Sequence, residues 1–229
     1  MLQMTRASFV CTESPDALDA LRRYFDDHHA LRLEQFLHPD LLAFVQASVR
    51  QASFYERDDD DIAREACMAD NAMLAMMCLI MNDGHLFSAI HRITGCAPIG
   101  YFNGRVYALH ADAGHYDRWH SDMSDDRRIG ISINLSEGAF SGGVFELRRV
   151  TAEAAEWSAA NTGPGDAVLF RISDDLRHRV TPVTGPVPRI AYAGWFQGGM
   201  DLLTFLKTNV NNAENTNESM QYTDPAATR

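Results

Sequence analysis

Two hydrophobic rhythms divide the chain. In the first hundred or so residues apolar positions recur at helical spacing: Leu18, Leu21 and Phe25 follow Pro15 and Asp16, while Leu41, Leu42, Phe44, Val45 and Val49 follow Pro39 and Asp40. Helices are therefore predicted over 15–29 and from 39 or 40 onward, with a short strand-like stretch at 31–36 between them. From Tyr101 the rhythm changes to short alternating segments punctuated by Gly, Pro, Asp and Ser, which is what a β-sandwich or barrel produces. Strands are predicted at 105–110, 129–135, 144–150, 167–171, 179–183 and 189–196, with turns at 163–166 and 184–186. A last short helix is predicted at 202–207, and the polar residues 209–229 read as a flexible tail.

Helices in front and strands behind predict an α+β fold, a jelly-roll with the N-terminal helices packed on one side. A single domain over 1–208 is expected, with 1–100 as mainly helical support and 101–198 as the jelly-roll core. A domain of this size buries roughly 70% of its unfolded surface, so neither disulfides nor a structural metal are needed for stability. Alternation also assigns faces. Ile129, Ile131, Ile133 and Leu135 form one apolar face, which leaves Gly130, Ser132 and Asn134 opposite. Likewise Arg189 shares a face with Ala191, Ala193 and Trp195, while Ile190, Tyr192 and Phe196 point the other way.

A formal net charge of −11 argues against a nucleic-acid partner, because phosphate neutralisation needs clustered Lys and Arg. Cys11, Cys67, Cys78 and Cys96 are scattered, with no Cys-x-x-Cys pair and no secretory leader, and read as buried thiols of a cytoplasmic protein. The longest apolar run, 73–81, is far short of the ~18 residues of a spanning helix, so no membrane partner is expected. Its methionines, Met73, Met76, Met77 and Met81, fit core filler better than a copper or haem contact. The acidic run 58–61 reads as a solvated loop.

A strand places residues two apart on one face, so a His-x-Asp pair can aim both side chains at one metal. Four such pairs occur: His38/Asp40, His110/Asp112, His115/Asp117 and His120/Asp122. Asp40 stands at a predicted helix start, which explains it without a metal. Spacing alone does not choose among the other three.

The segments 114–122, Ser141-Gly142-Gly143, Pro164-Gly165-Asp166 and His178-Arg179-Val180-Thr181-Pro182-Val183, ending with Arg189, resemble the double-stranded β-helix core of prolyl 4-hydroxylase-like oxygenases. Those enzymes are Fe(II)- and 2-oxoglutarate-dependent dioxygenases. The resemblance implies that His120, Asp122 and His178 are the iron ligands, with His115/Asp117 the alternative pair. It implies that Arg189 grips the distal carboxylate of 2-oxoglutarate through paired charge-assisted hydrogen bonds. Asn134 is implied as a second cosubstrate contact, and His110 stands where relatives often place an active-site Tyr.

Fe(II), 2-oxoglutarate and O2 are thus the implied cofactors, with succinate and CO2 released as a C–H bond is hydroxylated. A retained Asp122 favours hydroxylation over halogenation. A small molecule, an amino acid or a peptide side chain is the implied substrate class, and the helical first half is a candidate substrate wall or homodimer contact. Two other readings stay open: a jelly-roll module that binds metal or a small acid without turnover, and a nucleic-acid demethylase of the same superfamily, which the acidic balance disfavours.

Overall fold

The structure, a computed structural model, describes residues 1–59, 62–124, 126–160 and 162–208. The predicted tail at 209–229 lies outside them. The chain begins with an antiparallel pair, β1 (Leu2–Met4) and β2 (Phe9–Cys11), followed by α1 (Pro15–His28), β3 (Ala30–Leu33) and α2 (Pro39–Arg50). A hairpin of β4 (Phe54–Asp59) and β5 (Ala63–Met68) leads to α3 (Ala72–Met81) and α4 (Gly84–Thr94). The second half contributes β6 (Tyr101–Leu109), β7 (Tyr116–Asp117), β8 (Arg127–Asn134), β9 (Ser141–Gly142), β10 (Phe145–Arg149) and β11 (Trp157–Ala159). It ends with β12 (Ala167–Arg171), β13 (Leu176–Val180), β14 (Val183–Thr184) and β15 (Arg189–Gln197). Residues 202–208 are helical.

Local chemistry sets the helix ends. Ser14 caps α1 by accepting from the Ala17 N–H, Pro15 occupies the first turn, and His29 closes the helix in a left-handed conformation at φ 59°. His38 does the same for α2, accepting from Asp40 N–H through Nδ1, so this His-x-Asp pair is a helix start and not a metal site. Asp83 caps α4 through His85 and Leu86, and Gly95 ends it at φ 60°. No single helix among the described residues is long and apolar enough to cross a membrane. Met73, Met77 and Met81 of α3 are buried in the core, as the filler reading expects.

The main sheet runs β3-β12-β8-β15-β6-β5-β4, with β7 added alongside β5. A second sheet, β11-β10-β13, faces it, and β9 pairs with β14. The main sheet is apolar on both faces. Ile129, Ile131, Ile133, Phe102, Val106, Tyr192 and Phe196 pack toward Phe25, Leu41, Val45, Met77, Leu86 and Ile90 of the four helices. Tyr107, Leu109, Val168, Phe170 and Ala191 pack toward Phe145, Leu147, Leu176 and Val180 of the second sheet. The first cluster is the helix-backed core and the second is the jelly-roll interior, which gives the double-stranded β-helix with helices on one side.

Three differences from the sequence reading matter. Residues 54–68 form a hairpin that extends the main sheet, so Asp58 and Asp59 are strand residues and not a loop; Asp60 and Asp61 lie outside the described residues. The strand expected at 179–183 runs from Leu176 to Val180 and places His178 at its middle. Cys11 is exposed, on a short edge strand that covers only one side of it, whereas Cys67 and Cys96 are buried and all four thiols are free.

Asp83 joins the helical layer to the N-terminal hairpin, because its second oxygen accepts from Phe9 N–H at 3.1 Å. Burial works against its charge, but the amides of Phe9, Leu86 and His85 outweigh it and hold the carboxyl below its ordinary value. A depressed folded-state value adds stability above the unfolded value, near 3.9, that is lost as pH falls through the folded one. Asp83→Ala is expected to cost about 1–2 kcal/mol in urea unfolding at pH 7. The wild-type advantage over Asp83→Asn should shrink below about pH 4, and an advantage that grows with acid would contradict this.

Candidate metal centre

The centre is built where an extended segment beyond β7 meets β13. His120 and His178 form a reciprocal pair, each N–H donating to the other's carbonyl at 3.0 Å. Such a pair projects its side chains on the same side of the strands, and the two imidazole rings stand 4.3 Å apart. Asp122, two residues after His120, returns to that side. Its Oδ2 lies 3.3 Å from His178 Nε2 and its Oδ1 lies 3.7 Å from His120 Nε2. One ligand atom from each of the three residues lies within 4.8 Å of the others. This is the donor set of a facial two-histidine, one-carboxylate iron(II) site.

The surroundings fix the orientation of each donor. His120 Nδ1 lies 2.7 Å from the Arg118 carbonyl and 3.1 Å from Asp117 Oδ1, which leaves Nε2 for a metal. Asp117 is itself held, its Oδ2 accepting from Val180 N–H at 3.0 Å. Trp195 donates its indole N–H to Asp122 Oδ2 at 2.7 Å. The His178 ring stacks at 16° on Phe145 and touches Phe170, so its rotation is restricted.

Burial alone would lower the His120 pKa, but the Asp117 and Asp122 carboxylates and the Arg118 carbonyl outweigh it and push the value up to about 9. Burial would raise Asp122, yet its contacts with His178, His120 and Trp195 hold it well below the carboxylate range. Both shifts favour a carboxylate beside a charged imidazole, and a divalent cation would take the place of that proton. The geometry fits a metal.

Of the alternative pair, His115 is buried elsewhere. Its Nδ1 accepts from His110 N–H at 3.0 Å and its Nε2 faces Glu56 at 3.2 Å. Asp117 supports His120 from behind.

Arg189 opens β15 and is 7% exposed. It donates to Tyr107 Oη at 2.6 Å and to Ser132 Oγ at 3.0 Å. Tyr107 and Ser132 line a cavity of about 220 Å³ together with His120, Asp122, His178, Ala193 and Trp195. Burial raises the Tyr107 pKa even with the Arg189 charge beside it, so the phenol keeps its proton. Gly143, at φ 59°, permits close approach of the turn before β10, where a Cβ would meet Arg189 Cδ at 2.9 Å.

Two expected contacts are elsewhere. His110 is exposed and lines a separate groove with Gln46, Pro186 and Ile190. It shares the parity of Val106 and Ala108, the helix-facing side, whereas Tyr107 has the parity of the interior and takes the position expected for His110. Asn134 does face inward, but its amide is spent on the chain: Nδ2 donates to the Thr162 carbonyl at 2.6 Å and Oδ1 accepts from Ser136 N–H at 2.9 Å. Ser132, one step back on the same face, meets Arg189 instead. The sequence reading also missed Asp117 and Trp195 as supports. Trp195 was foreseeable, since it was already placed on the Arg189 face.

Residues 99–197 match the model of the 2OG-Fe(II) oxygenase superfamily. The fold resembles that of a Pseudomonas putida prolyl-4-hydroxylase, with a TM-score of 0.62 and 22% identity over 80% of this chain and 99% of that one. It also resembles an oxidoreductase of the 2OG-Fe(II) oxygenase family from Burkholderia pseudomallei, with a TM-score of 0.61 and 12% identity over 88% and 99% of the two chains. A Trichoplax adhaerens prolyl hydroxylase in complex with a hypoxia inducible factor peptide fragment gives a TM-score of 0.57 and 15% identity over 81% and 94%. No curated protein matches by sequence.

If Asp117 orients His120, Asp117→Ala should weaken divalent-metal binding roughly 10–100-fold, read by competition with a chromophoric chelator. An unchanged affinity would remove Asp117 from the centre.

Proposed function

The chain belongs, through residues 99–197, to the 2OG-Fe(II) oxygenase superfamily, and on that premise we propose that His120, Asp122 and His178 hold Fe(II) while Arg189, Tyr107 and Ser132 receive 2-oxoglutarate. The protein is an Fe(II)- and 2-oxoglutarate-dependent dioxygenase. The observation that carries the residue assignment is the meeting of three donors, from two distant stretches of the chain, in the lining of one cavity. When bound, the iron supplies the O2-dependent oxidative decarboxylation of 2-oxoglutarate to succinate and CO2 that drives hydroxylation of a C–H bond.

The chain's residues do the rest. Three protein ligands would hold the ion and leave its remaining positions to cosubstrate and oxygen. Arg189 offers a guanidinium for the distal carboxylate, and Tyr107 and Ser132 hold it in place meanwhile. Ala191 and Ala193 keep the Arg189 face free of bulk. Phe145 and Phe170 back the His178 ring and exclude water from that side. Asp117 and Trp195 fix His120 and Asp122. Asp122, retained as a carboxylate, favours hydroxylation of the substrate over halogenation. The substrate is a small molecule or a peptide side chain, by analogy with the hydroxylase relatives, and free thiols at Cys67, Cys78 and Cys96 suit a reducing cytoplasm.

Iron-dependent conversion of 2-oxoglutarate to succinate is the test. His120→Ala, Asp122→Ala and His178→Ala should each abolish it, and His115→Ala should leave most of it. Arg189→Ala should raise the 2-oxoglutarate requirement at least tenfold with a much smaller change in the iron requirement. Tight 2-oxoglutarate binding with no consumption would favour a jelly-roll binding module instead.

A further inference from the structure

One wall of the same cavity is charged in a way that neither metal nor cosubstrate explains. Arg57 and Asp59 reach it from β4, Glu65 from β5, Arg105 from β6 and Arg127 from β8. Among the described residues, three guanidiniums on this wall face two carboxylates. Asp122 belongs to the metal centre and Asp117 is turned to His120 and the Val180 amide, so neither balances the excess.

The pairing within the wall is lopsided. Arg57 Nη1, Arg105 Nε and Arg105 Nη2 all converge on Glu65 Oε1, at 3.0, 3.0 and 2.8 Å. Glu65 is buried, with its side chain 5% exposed, while Arg105 is 32% exposed into the cavity. One buried carboxylate oxygen therefore anchors two arginines and neutralises only one. Arg57 has a second partner in Asp59, so these two arginines and two carboxylates balance, and the excess charge on the wall is that of Arg127.

Arg105 and Arg127 approach one side chain from the two strands that flank it. Their guanidinium carbons lie 5.5 and 3.7 Å from the Trp195 ring centroid, and Trp195 in turn donates to Asp122. Stacking on an indole holds a guanidinium flat and keeps its N–H edge available. Arg127 Nη1 lies 3.6 Å from Asp122 Oδ1, a carboxylate that a metal would claim. Two oriented cations beside the metal, with one positive charge in excess, form a receptor for a monoanion.

Resting on the oxygenase reading, we propose that the substrate carries a carboxylate, and that Arg105 and Arg127, set on either side of Trp195, anchor it while a neighbouring carbon is presented to the iron. The cavity limits what enters. At about 220 Å³ it falls below the roughly 300–1,000 Å³ of sites for drug-sized ligands, and 2-oxoglutarate must share it. The substrate is a small acid, such as an amino acid. Glu65 positions Arg105 and is not itself a contact for the acid group.

The test uses the full-length, Fe(II)-loaded protein with 2-oxoglutarate. The probes are the free L-amino acids, a set of simple monocarboxylic acids, and the primary amide of each. Succinate formation above the substrate-free background is measured, and in parallel the thermal stabilisation of the Zn(II)-substituted, 2-oxoglutarate-bound protein. One or more acids should raise succinate formation and stabilise the zinc form, with the matching amides at least tenfold weaker in both.

Arg105→Gln and Arg127→Gln should each raise the half-saturating acid concentration tenfold or more, with Arg105→Lys intermediate. Arg149→Gln, which breaks an exposed pair with Glu156 and an exposed contact with His29, should match wild type. Amides that work as well as acids, unchanged half-saturation in both glutamine variants, or an absence of any acid that stabilises the zinc form would overturn the proposal. Failure of the oxygenase reading looks different: acids would still stabilise the zinc form, but no iron-dependent succinate would appear.

Discussion

One pair of backbone hydrogen bonds governs the site. The two-way N–H to carbonyl exchange between His120 and His178 fixes the register between the segment after β7 and the middle of β13. A slip of one residue would turn one imidazole to the opposite side of the sheet. Asp122 inherits its place from the same register, because two extended residues return it to the face of His120. The convergence of donors that are 58 positions apart in the chain is thus a property of strand pairing, and the side chains merely follow.

Around that register each donor is held by a neighbouring group. Asp117 spans His120 and the Val180 amide, so it ties the imidazole to β13 a second time. Trp195 binds Asp122 from β15, the strand that also carries Arg189. The candidate metal centre and Arg189 are therefore referenced to one strand of the main sheet. Preorganisation of this kind keeps the reacting groups in place without a rearrangement on binding.

Much of this was legible from alternation. The opposite faces of 129–135 and 189–196 are as their period of two predicts, and so is Arg189 inside with Ala191, Ala193 and Trp195. The triad was legible only through the family motif, since four His-x-Asp pairs share one spacing and periodicity does not rank them. Parity could have separated His110 from Tyr107, had the strand been traced back to Tyr101. Asn134 shows the limit of the method: alternation gives the face of a residue but not whether a passing loop, here the Thr162 carbonyl, has already claimed it. The hairpin at 54–68 was hidden because its charged residues imitate a loop; Glu65, Arg57 and Arg105 satisfy one another inside the sheet, and only three-dimensional pairing reveals that.

That hairpin has a consequence for how such a protein can diversify. It lies outside the stretch that carries the candidate metal ligands and Arg189, yet it lends Arg57, Asp59, Ile62, Ala63 and Glu65 to the lining of the cavity beside them. Selection could rewrite these positions, and so alter which molecules are admitted, while the oxidising machinery stays intact. The edge of the sheet behaves as an interchangeable faceplate on a fixed engine.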